Sequence, residues 1–223
     1  MEYLNLINTI DTELFLLING LHNSFFDGFM YSFSKVGVWI PFYISVIYIL
    51  IKNAGKQALW MIVALILCVV LADQISSGII KESVQRLRPT HNPSLNGLVH
   101  IVAGYKGGLY GFVSSHAANT FGFALLSSLL IRKRVYIVSV FSWAFITSYS
   151  RMYLGVHYPL DILGGALVGF FVAVFCFVLL KKIMPQLQTT AYSVKSVNIP
   201  VIVLLLSAIG ISFYSVWAFI INV

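Results

Sequence analysis

The sequence predicts an all-α polytopic membrane protein with six transmembrane helices and an interfacial helix at the N-terminus. Of its 223 residues, 59% are hydrophobic and only 9% are charged, whereas a soluble domain is about half apolar and about a quarter charged. The mean hydropathy is +0.91. This composition excludes a cytosolic globular enzyme, a disordered chain and a soluble nucleic-acid-binding module. We therefore expect one membrane domain over residues 1–223, without a large soluble domain.

Residues 5–22 are predicted to form the interfacial helix. Ile7, Ile10 and Leu14 recur at helical spacing beside polar positions, a pattern typical of a helix that lies in the membrane–water interface. The alternative is an ordinary first membrane crossing, and the sequence alone leaves both interpretations open.

An α-helix rises about 1.5 Å per residue, so roughly 20 apolar residues span the hydrocarbon layer. Six apolar runs approach or reach this length, and we therefore predict six crossings. One crossing falls within residues 25–52, where Asp27 and Pro41 indicate an amphipathic first part and an apolar core over about 37–51. Five other runs are long and apolar enough to cross. They cover about 58–80, 114–131, 134–150, 160–180 and 199–221.

The basic residues divide between the two faces of this predicted topology. The chain has 14 Lys and Arg against 7 Asp and Glu, a net charge of +7. Eight of the cations share one face, which the positive-inside rule assigns to the cytoplasm. These are Lys52, Lys56, Arg132, Lys133, Arg134, Lys181, Lys182 and Lys195. The other six oppose that bias, and binding an anion is the obvious reason for keeping them. These are Lys35, Lys81, Arg86, Arg88, Lys106 and Arg151.

Three short motifs lie on the second face, in loop two (81–113), at the start of the third span, and in loop four. Each motif alone has an ordinary explanation. A lysine at a span end anchors a helix at the interface, a histidine at a helix start is often structural, and an acid in a first turn caps a helix. The motif residues are Lys81, Arg88 and Pro89, then Ser114, Ser115 and His116, then Ser150, Arg151, His157 and Asp161.

Together the three motifs resemble the signature of the type 2 phosphatidic acid phosphatase superfamily, membrane lipid phosphatases that are related to soluble vanadium haloperoxidases. The family pattern is Lys-x6-Arg-Pro, then Pro-Ser-Gly-His, then Ser-Arg-x5-His-x3-Asp, and the resemblance covers about 58–180. The second motif departs from it, because Val113 replaces the proline and Ser115 replaces the glycine. Ser115 keeps its amide and adds a hydroxyl, so we expect a modest effect on the pocket.

Phosphate-ester hydrolysis requires that the charge on the phosphoryl oxygens be neutralised. Lys81, Arg88 and Arg151 are expected to bind the phosphate, the two guanidiniums through paired hydrogen bonds and the lysine as a compact charge. Ser114 is expected to cap the third span, so that the amide of Ser115 also faces the anion. With these cations, no metal and no other cofactor is expected.

The resemblance implies the catalytic roles. His157 would be the nucleophile that forms a phosphohistidine, and Asp161 would hydrogen-bond its other ring nitrogen. His116 would protonate the leaving group and then activate water.

Residues outside the motifs also carry expectations. Asp73 lies within a predicted span and is either functional or paired with a polar group on a neighbouring helix. Tyr105, Lys106 and Tyr110 in loop two are expected to line a headgroup entrance. Tyr153, with its neighbour Tyr149, is expected in the aromatic belt at the membrane interface.

The sequence therefore predicts a phosphatase in the bacterial cytoplasmic membrane that acts on a lipid phosphate or diphosphate at the outer leaflet. Lipid A and undecaprenyl diphosphate are the leading substrates, on the basis of the small single-domain size. Its partners are the lipid substrate and the bilayer, not nucleic acid, and the oligomeric state is open. Phosphoryl transfer to another lipid is an alternative with the same intermediate. An anion transporter lacks support, because no inverted repeat is visible.

Overall fold

The computed structural model describes residues 2–187 and 192–218, apart from the side chain of residue 4. Within these ranges the regular structure is helical, with short turns between helices and one isolated β-bridge, which joins Leu87 and Tyr110. This confirms the predicted all-α class. The α-helices are α1 (Glu2–Gly20), α2 (Ser24–Phe33), α3 (Ile40–Ala54), α4 (Ala58–Asp73), α5 (Lys81–Val84), α6 (Ser115–Ile131), α7 (Arg134–Tyr153), α8 (Pro159–Ile183) and α9 (Val194–Val216).

Local sequence signals account for the starts of these helices. The Asn23 side chain accepts the amide of Phe26 at 2.9 Å and caps α2. Ser114 Oγ accepts the amide of Ala117 at 3.4 Å and caps α6, as predicted. Pro159 occupies the first position of α8, where its missing N–H would have had no intrahelical partner.

The run over 25–52 divides into α2 and α3, which are separated by a 3-10 turn at Val36–Trp39. Pro41 lies in the first turn of α3, because a proline ring further into a helix would clash with the preceding turn. The boundary that the sequence predicted between the first part and the apolar core over about 37–51 therefore falls at a break between two helices.

Three of the predicted runs continue as helix beyond their apolar cores. The run over 58–80 continues from α4 through a π-helical segment, Gln74–Ile80, into α5. Helix α7 extends past the predicted end of 134–150, and α9 begins before the predicted start of 199–221. Residues 219–221 lie outside the described ranges. Hydrogen bonding continues into polar sequence, so hydropathy alone placed these ends too far inward.

Long apolar helical stretches make this a membrane protein. Val36–Val84, Pro159–Ile183 and Val194–Val216 are each long and apolar enough to cross a bilayer, and an 18-residue window within each has a mean hydropathy of 2.4, 2.7 and 2.3, respectively. Helix α6 is a shorter apolar helix.

Helices α6 and α8 pack closely at the end that carries the motifs. A Cβ on Gly165 would overlap the carbonyl group of Ser114, and a Cβ on Gly169 would overlap that of Ala118. Small residues at such positions allow two helix backbones to approach. The approach lets the amide of Ser114 donate to the carbonyl of Asp161 at 2.9 Å. Two of the three motifs are thereby joined through their backbones.

The main apolar core fills the space between α3, α4 and α6–α9. Trp39, Phe42 and Phe123 surround Trp143 with ring centroids 5.3–6.2 Å from its own. Such aromatic packing buries large apolar areas and fixes the relative rotation of the helices. The core therefore holds α6 and α7, from which two of the motifs extend.

Candidate active site

The structure brings the three motifs to one end of the helices. Lys81 begins α5, and Arg88 lies in the loop after it. His116 lies in the first turn of α6, and Arg151 in the last turn of α7. His157 follows in the loop before α8.

His157 and Asp161 form a buried pair. His157 Nδ1 lies 3.2 Å from Asp161 Oδ2, and the two side chains are 1% and 0% exposed. The amide of Tyr158 donates to the same oxygen at 3.0 Å. A carboxylate only accepts hydrogen bonds, so this contact favours the tautomer with the proton on Nδ1 and the lone pair on Nε2. Asp161 therefore contacts one ring nitrogen of His157, as the family resemblance implied.

Burial lowers the pKa of His157 well below its ordinary value, and the charges of Arg88, Arg151 and Lys81 lower it further. Both effects disfavour the protonated ring. The structure therefore holds His157 as a neutral imidazole close to three cations.

Arg88 is held by neutral groups. Its Nε donates to the carbonyl of Tyr110 at 2.9 Å, whereas its buried Nη1 has no hydrogen-bond partner within the described ranges. Gly107, with a φ of +67°, passes so close that a Cβ there would lie 2.6 Å from Nη1. Only glycine allows loop two to cover the guanidinium in this way.

Arg151 is almost fully buried, at 3% exposure. Its Nη1 donates to Ser34 Oγ, and its Nη2 donates to the Tyr105 hydroxyl at 2.8 Å. Its buried Nε lacks a partner among the described residues. Tyr105, which was expected to line a headgroup entrance, therefore contacts a motif arginine directly.

Lys81 contacts the residue that departs from the family pattern. Its Nζ donates to Ser115 Oγ at 2.6 Å, and Ser77 Oγ lies 2.8 Å from the same oxygen. The hydroxyl that replaces the family glycine is therefore a direct partner of the motif lysine. Ser77 was not identified from the sequence, although it lies four residues before Lys81 on the same helical run.

His116 and Ser114 have different surroundings. His116 lines a cavity of about 240 Å³ together with Ser115 and Asp73. Ser114 is fully buried, and its hydroxyl caps α6. Its side chain therefore caps the helix and does not line the cavity.

The structure shows the surroundings of two residues outside the motifs, Tyr153 and Asp73. Tyr153 was expected in the aromatic belt, which is wrong, because it is 1% exposed and its hydroxyl donates to Asp27 at 2.6 Å. The polar partner in α2 draws this tyrosine into the protein. Asp73 accepts a hydrogen bond from Asn119 Nδ2 at 3.2 Å, so the expected polar partner on a neighbouring helix is present, and Asp73 also lines the cavity that contains His116.

Sequence reasoning missed the residues that surround Asp161. Arg86 donates to Asp161 Oδ1 at 3.1 Å and to Asp11 Oδ2 at 2.7 Å. The sequence held one signal for Arg86, because it is among the basic residues on the second face of the predicted topology. Its partner in α1 was not predictable, because the two residues are 75 positions apart.

A sequence profile of the PAP2 superfamily matches residues 42–185. The chain is 39% identical over 219 residues to a lipid A 4'-phosphatase from Bacteroides thetaiotaomicron, covering 94% of this chain and 97% of that protein. It is 37% identical to a lipid A 4'-phosphatase from Porphyromonas gingivalis, over 79% of this chain and 74% of that protein. An undecaprenyl-diphosphatase from Sulfolobus acidocaldarius is 30% identical, over 71% of this chain and 73% of that protein.

Two solved structures are similar in fold. LpxE from Aquifex aeolicus has a TM-score of 0.56 at 25% identity, covering 75% of this chain and 94% of that chain. A PAP2-type phosphatidylglycerolphosphate phosphatase from Bacillus subtilis has a TM-score of 0.59 at 19% identity, covering 82% of this chain and 88% of that chain. At this identity the similarity shows the fold alone. The chain belongs to the PAP2 superfamily. It is a membrane phosphatase of that superfamily.

We predict that His157 stays neutral as the pH falls through about 6.5, the ordinary pKa of histidine. A lowered pKa means that the ring takes up its proton only at a more acidic pH. In protein with ¹³C-labelled histidine rings, the His157 resonance is assigned by its absence from His157→Gln. Its shift should remain constant while free histidine in the same sample titrates. A His157 midpoint at or above that of free histidine would contradict the prediction.

Proposed function

We propose that this protein is a lipid A 4'-phosphatase that removes phosphate from the sugar through a phosphohistidine intermediate. The observation that carries the proposal is its 39% identity to a relative of that name across nearly the full length of both chains. Undecaprenyl diphosphate is the second candidate substrate, because a relative named for that activity is 30% identical.

The first step is binding of the phosphate by Lys81, Arg88 and Arg151. Nη1 of Arg88 and Nε of Arg151 are buried without partners in the described part of the chain, which is costly for an N–H group. Phosphoryl oxygens would satisfy both groups with charge-assisted hydrogen bonds. The amides of Ser115 and His116 at the start of α6 add further donors. Three fixed cations supply the neutralising charge, so the proposed reaction uses no metal or other cofactor.

In the second step, Nε2 of His157 attacks phosphorus and the bond to the sugar oxygen breaks. His116 donates a proton to that oxygen, so that the dephosphorylated lipid leaves as an alcohol. Asp161 stabilises the positive charge that develops on His157. His116 then takes a proton from water as the water attacks phosphorus, which breaks the P–N bond and releases inorganic phosphate.

An apolar groove supports a lipid substrate. It has a volume of about 280 Å³ and lies between α3 and α4, where Val46, Ile62 and Leu65 line it. The groove shares Tyr43 and Asn119 with the cavity that contains His116. An acyl chain in this groove would contribute about 0.8 kcal/mol for each buried CH₂.

We also propose that the chain is one domain with six crossings, with α1 in the interface and the site on the outer face of the cytoplasmic membrane. The apolar side chains of α1 are exposed, including Ile7 at 48% and Ile10 at 47%. The loops that join α3 to α4, α6 to α7, and α8 to α9, together with the helix ends that flank them, hold eight basic residues, consistent with a cytoplasmic face.

The orientation predicts which introduced cysteines react in whole cells. Asn96→Cys in loop two should be labelled by a membrane-impermeant thiol reagent, and Lys56→Cys in the opposite loop should be labelled only after lysis. Both positions are exposed, and the native Cys68 and Cys176 are buried, so they give little background. The reverse labelling pattern would contradict the orientation.

The substrate proposal predicts the order of activities on a panel of purified lipids in detergent. We expect kcat/KM for lipid A to exceed that for undecaprenyl diphosphate and phosphatidic acid by about tenfold or more, equivalent to 1.4 kcal/mol. His157→Gln should reduce phosphate release from every substrate by about a thousandfold. A preference for undecaprenyl diphosphate would favour the second candidate. Transfer of phosphate to another lipid without release would favour a phosphotransferase.

A further inference from the structure

Arg86 lies between two carboxylates from distant parts of the chain. Its Nη1 donates to Asp161 Oδ1 at 3.1 Å, and its Nη2 donates to Asp11 Oδ2 at 2.7 Å. The guanidinium also lies 4.0 Å from the centre of the Tyr158 ring. These contacts hold the group on both edges and on one face, so it has a defined orientation.

The contact with Asp161 completes the hydrogen bonding of that carboxylate. Asp161 Oδ2 faces His157 Nδ1 at 3.2 Å and accepts the amide of Tyr158 at 3.0 Å. Oδ1 is the oxygen that Arg86 binds. With both oxygens engaged, the carboxylate cannot rotate about its terminal bond without breaking a charge-assisted hydrogen bond. The plane of Asp161, and with it the direction of the His157 ring, depends on Arg86.

Asp11 extends this arrangement into α1. It is 3% exposed, and its Oδ1 accepts the amide of Leu160 in the first turn of α8 at 2.8 Å. Asp11 therefore binds Arg86 with one oxygen and the start of α8 with the other. A second anchor holds α1 nearby, because Asn19 donates to the carbonyl of Tyr153 at 2.8 Å.

We propose that Arg86 is a positioning residue that orients His157 through Asp161, and that Asp11 ties helix α1 to the active site through Arg86. The inference rests on the proposed role of His157 as the nucleophile. It gives a role to a cation that neither the membrane topology nor the three motifs explain. It also distinguishes Arg86 from Arg88 and Arg151, whose partners are neutral groups.

The test compares Arg86→Gln, Arg86→Lys and Asp11→Asn with wild type in purified enzyme on one lipid phosphate. We expect Arg86→Gln to lower kcat by about 10- to 100-fold, the range seen when partners that orient a functional histidine are removed. KM should change by no more than about twofold, because the phosphate-binding cations remain. Arg86→Lys should recover part of kcat, because it keeps the charge beside Asp161 but not the paired geometry.

Glu13→Gln is the matched control, because Glu13 is an exposed acid on the same helix as Asp11, and its kcat should equal that of wild type. Asp11→Asn should lower kcat in the wild-type background and have no further effect in Arg86→Gln, as expected of residues that act in series. Melting temperatures measured in detergent identify any variant that is unfolded. If Arg86→Gln is unfolded, the inference is tested with Arg86→Lys and Asp11→Asn instead.

Three results would overturn the inference. They are an unchanged kcat in the Arg86 and Asp11 variants, a rise in KM with kcat unchanged, and additive effects of Asp11→Asn and Arg86→Gln. The rise in KM would mean that Arg86 binds substrate directly. His157→Gln is measured in the same series: if it is inactive while the Arg86 variants are normal, only this inference fails. If His157→Gln is active, the proposed function fails as well.

Discussion

The structure depends on keeping three cations close together where they are largely shielded from water. Within the described ranges, Lys81, Arg88 and Arg151 form no ion pair with a carboxylate. Their partners are hydroxyl and carbonyl oxygens, such as Ser115 for the lysine and Tyr105 for Arg151. Neutral partners orient a cation without cancelling its charge, so the positive potential stays available to an anion. Burying like charges together is costly. The packing of the apolar core and the contacts of loop two therefore have to hold the three cations in place.

The carboxylates are used elsewhere in the same region. Asp161 faces His157 and Arg86, and Asp11 binds Arg86 and the start of α8. The carboxylates of Asp161 and Asp11 thus bind His157, Arg86 and the start of α8. Neither carboxylate forms a hydrogen bond to Lys81, Arg88 or Arg151 within the described ranges. The close approach of α6 and α8 at Gly165 joins the two arrangements, because it brings the amide of Ser114 onto the carbonyl of Asp161.

Motif spacing and hydropathy predicted most of the helices and the residues that meet at this end of the protein. The residues that remained unpredicted are those whose partners are distant in sequence. Arg86 and Asp11 are 75 positions apart, and neither belongs to a motif. Tyr153 was misjudged because aromatic residues at span ends are typical of the interface, and its partner Asp27 is 126 positions away. Periodicity reports on one helix at a time, whereas these contacts depend on how α1 and α2 dock against the others.

The proposed function requires that His157 carry the phosphoryl group during turnover. It is tested most directly by mixing enzyme with ³²P-labelled lipid A, quenching in alkali within one turnover and mapping the labelled peptide by mass spectrometry. A phosphohistidine intermediate predicts an acid-labile, alkali-stable phosphate on His157 that forms and decays at rates compatible with kcat. Phosphate release at the normal rate with no labelled protein, or label on a different residue, would contradict it.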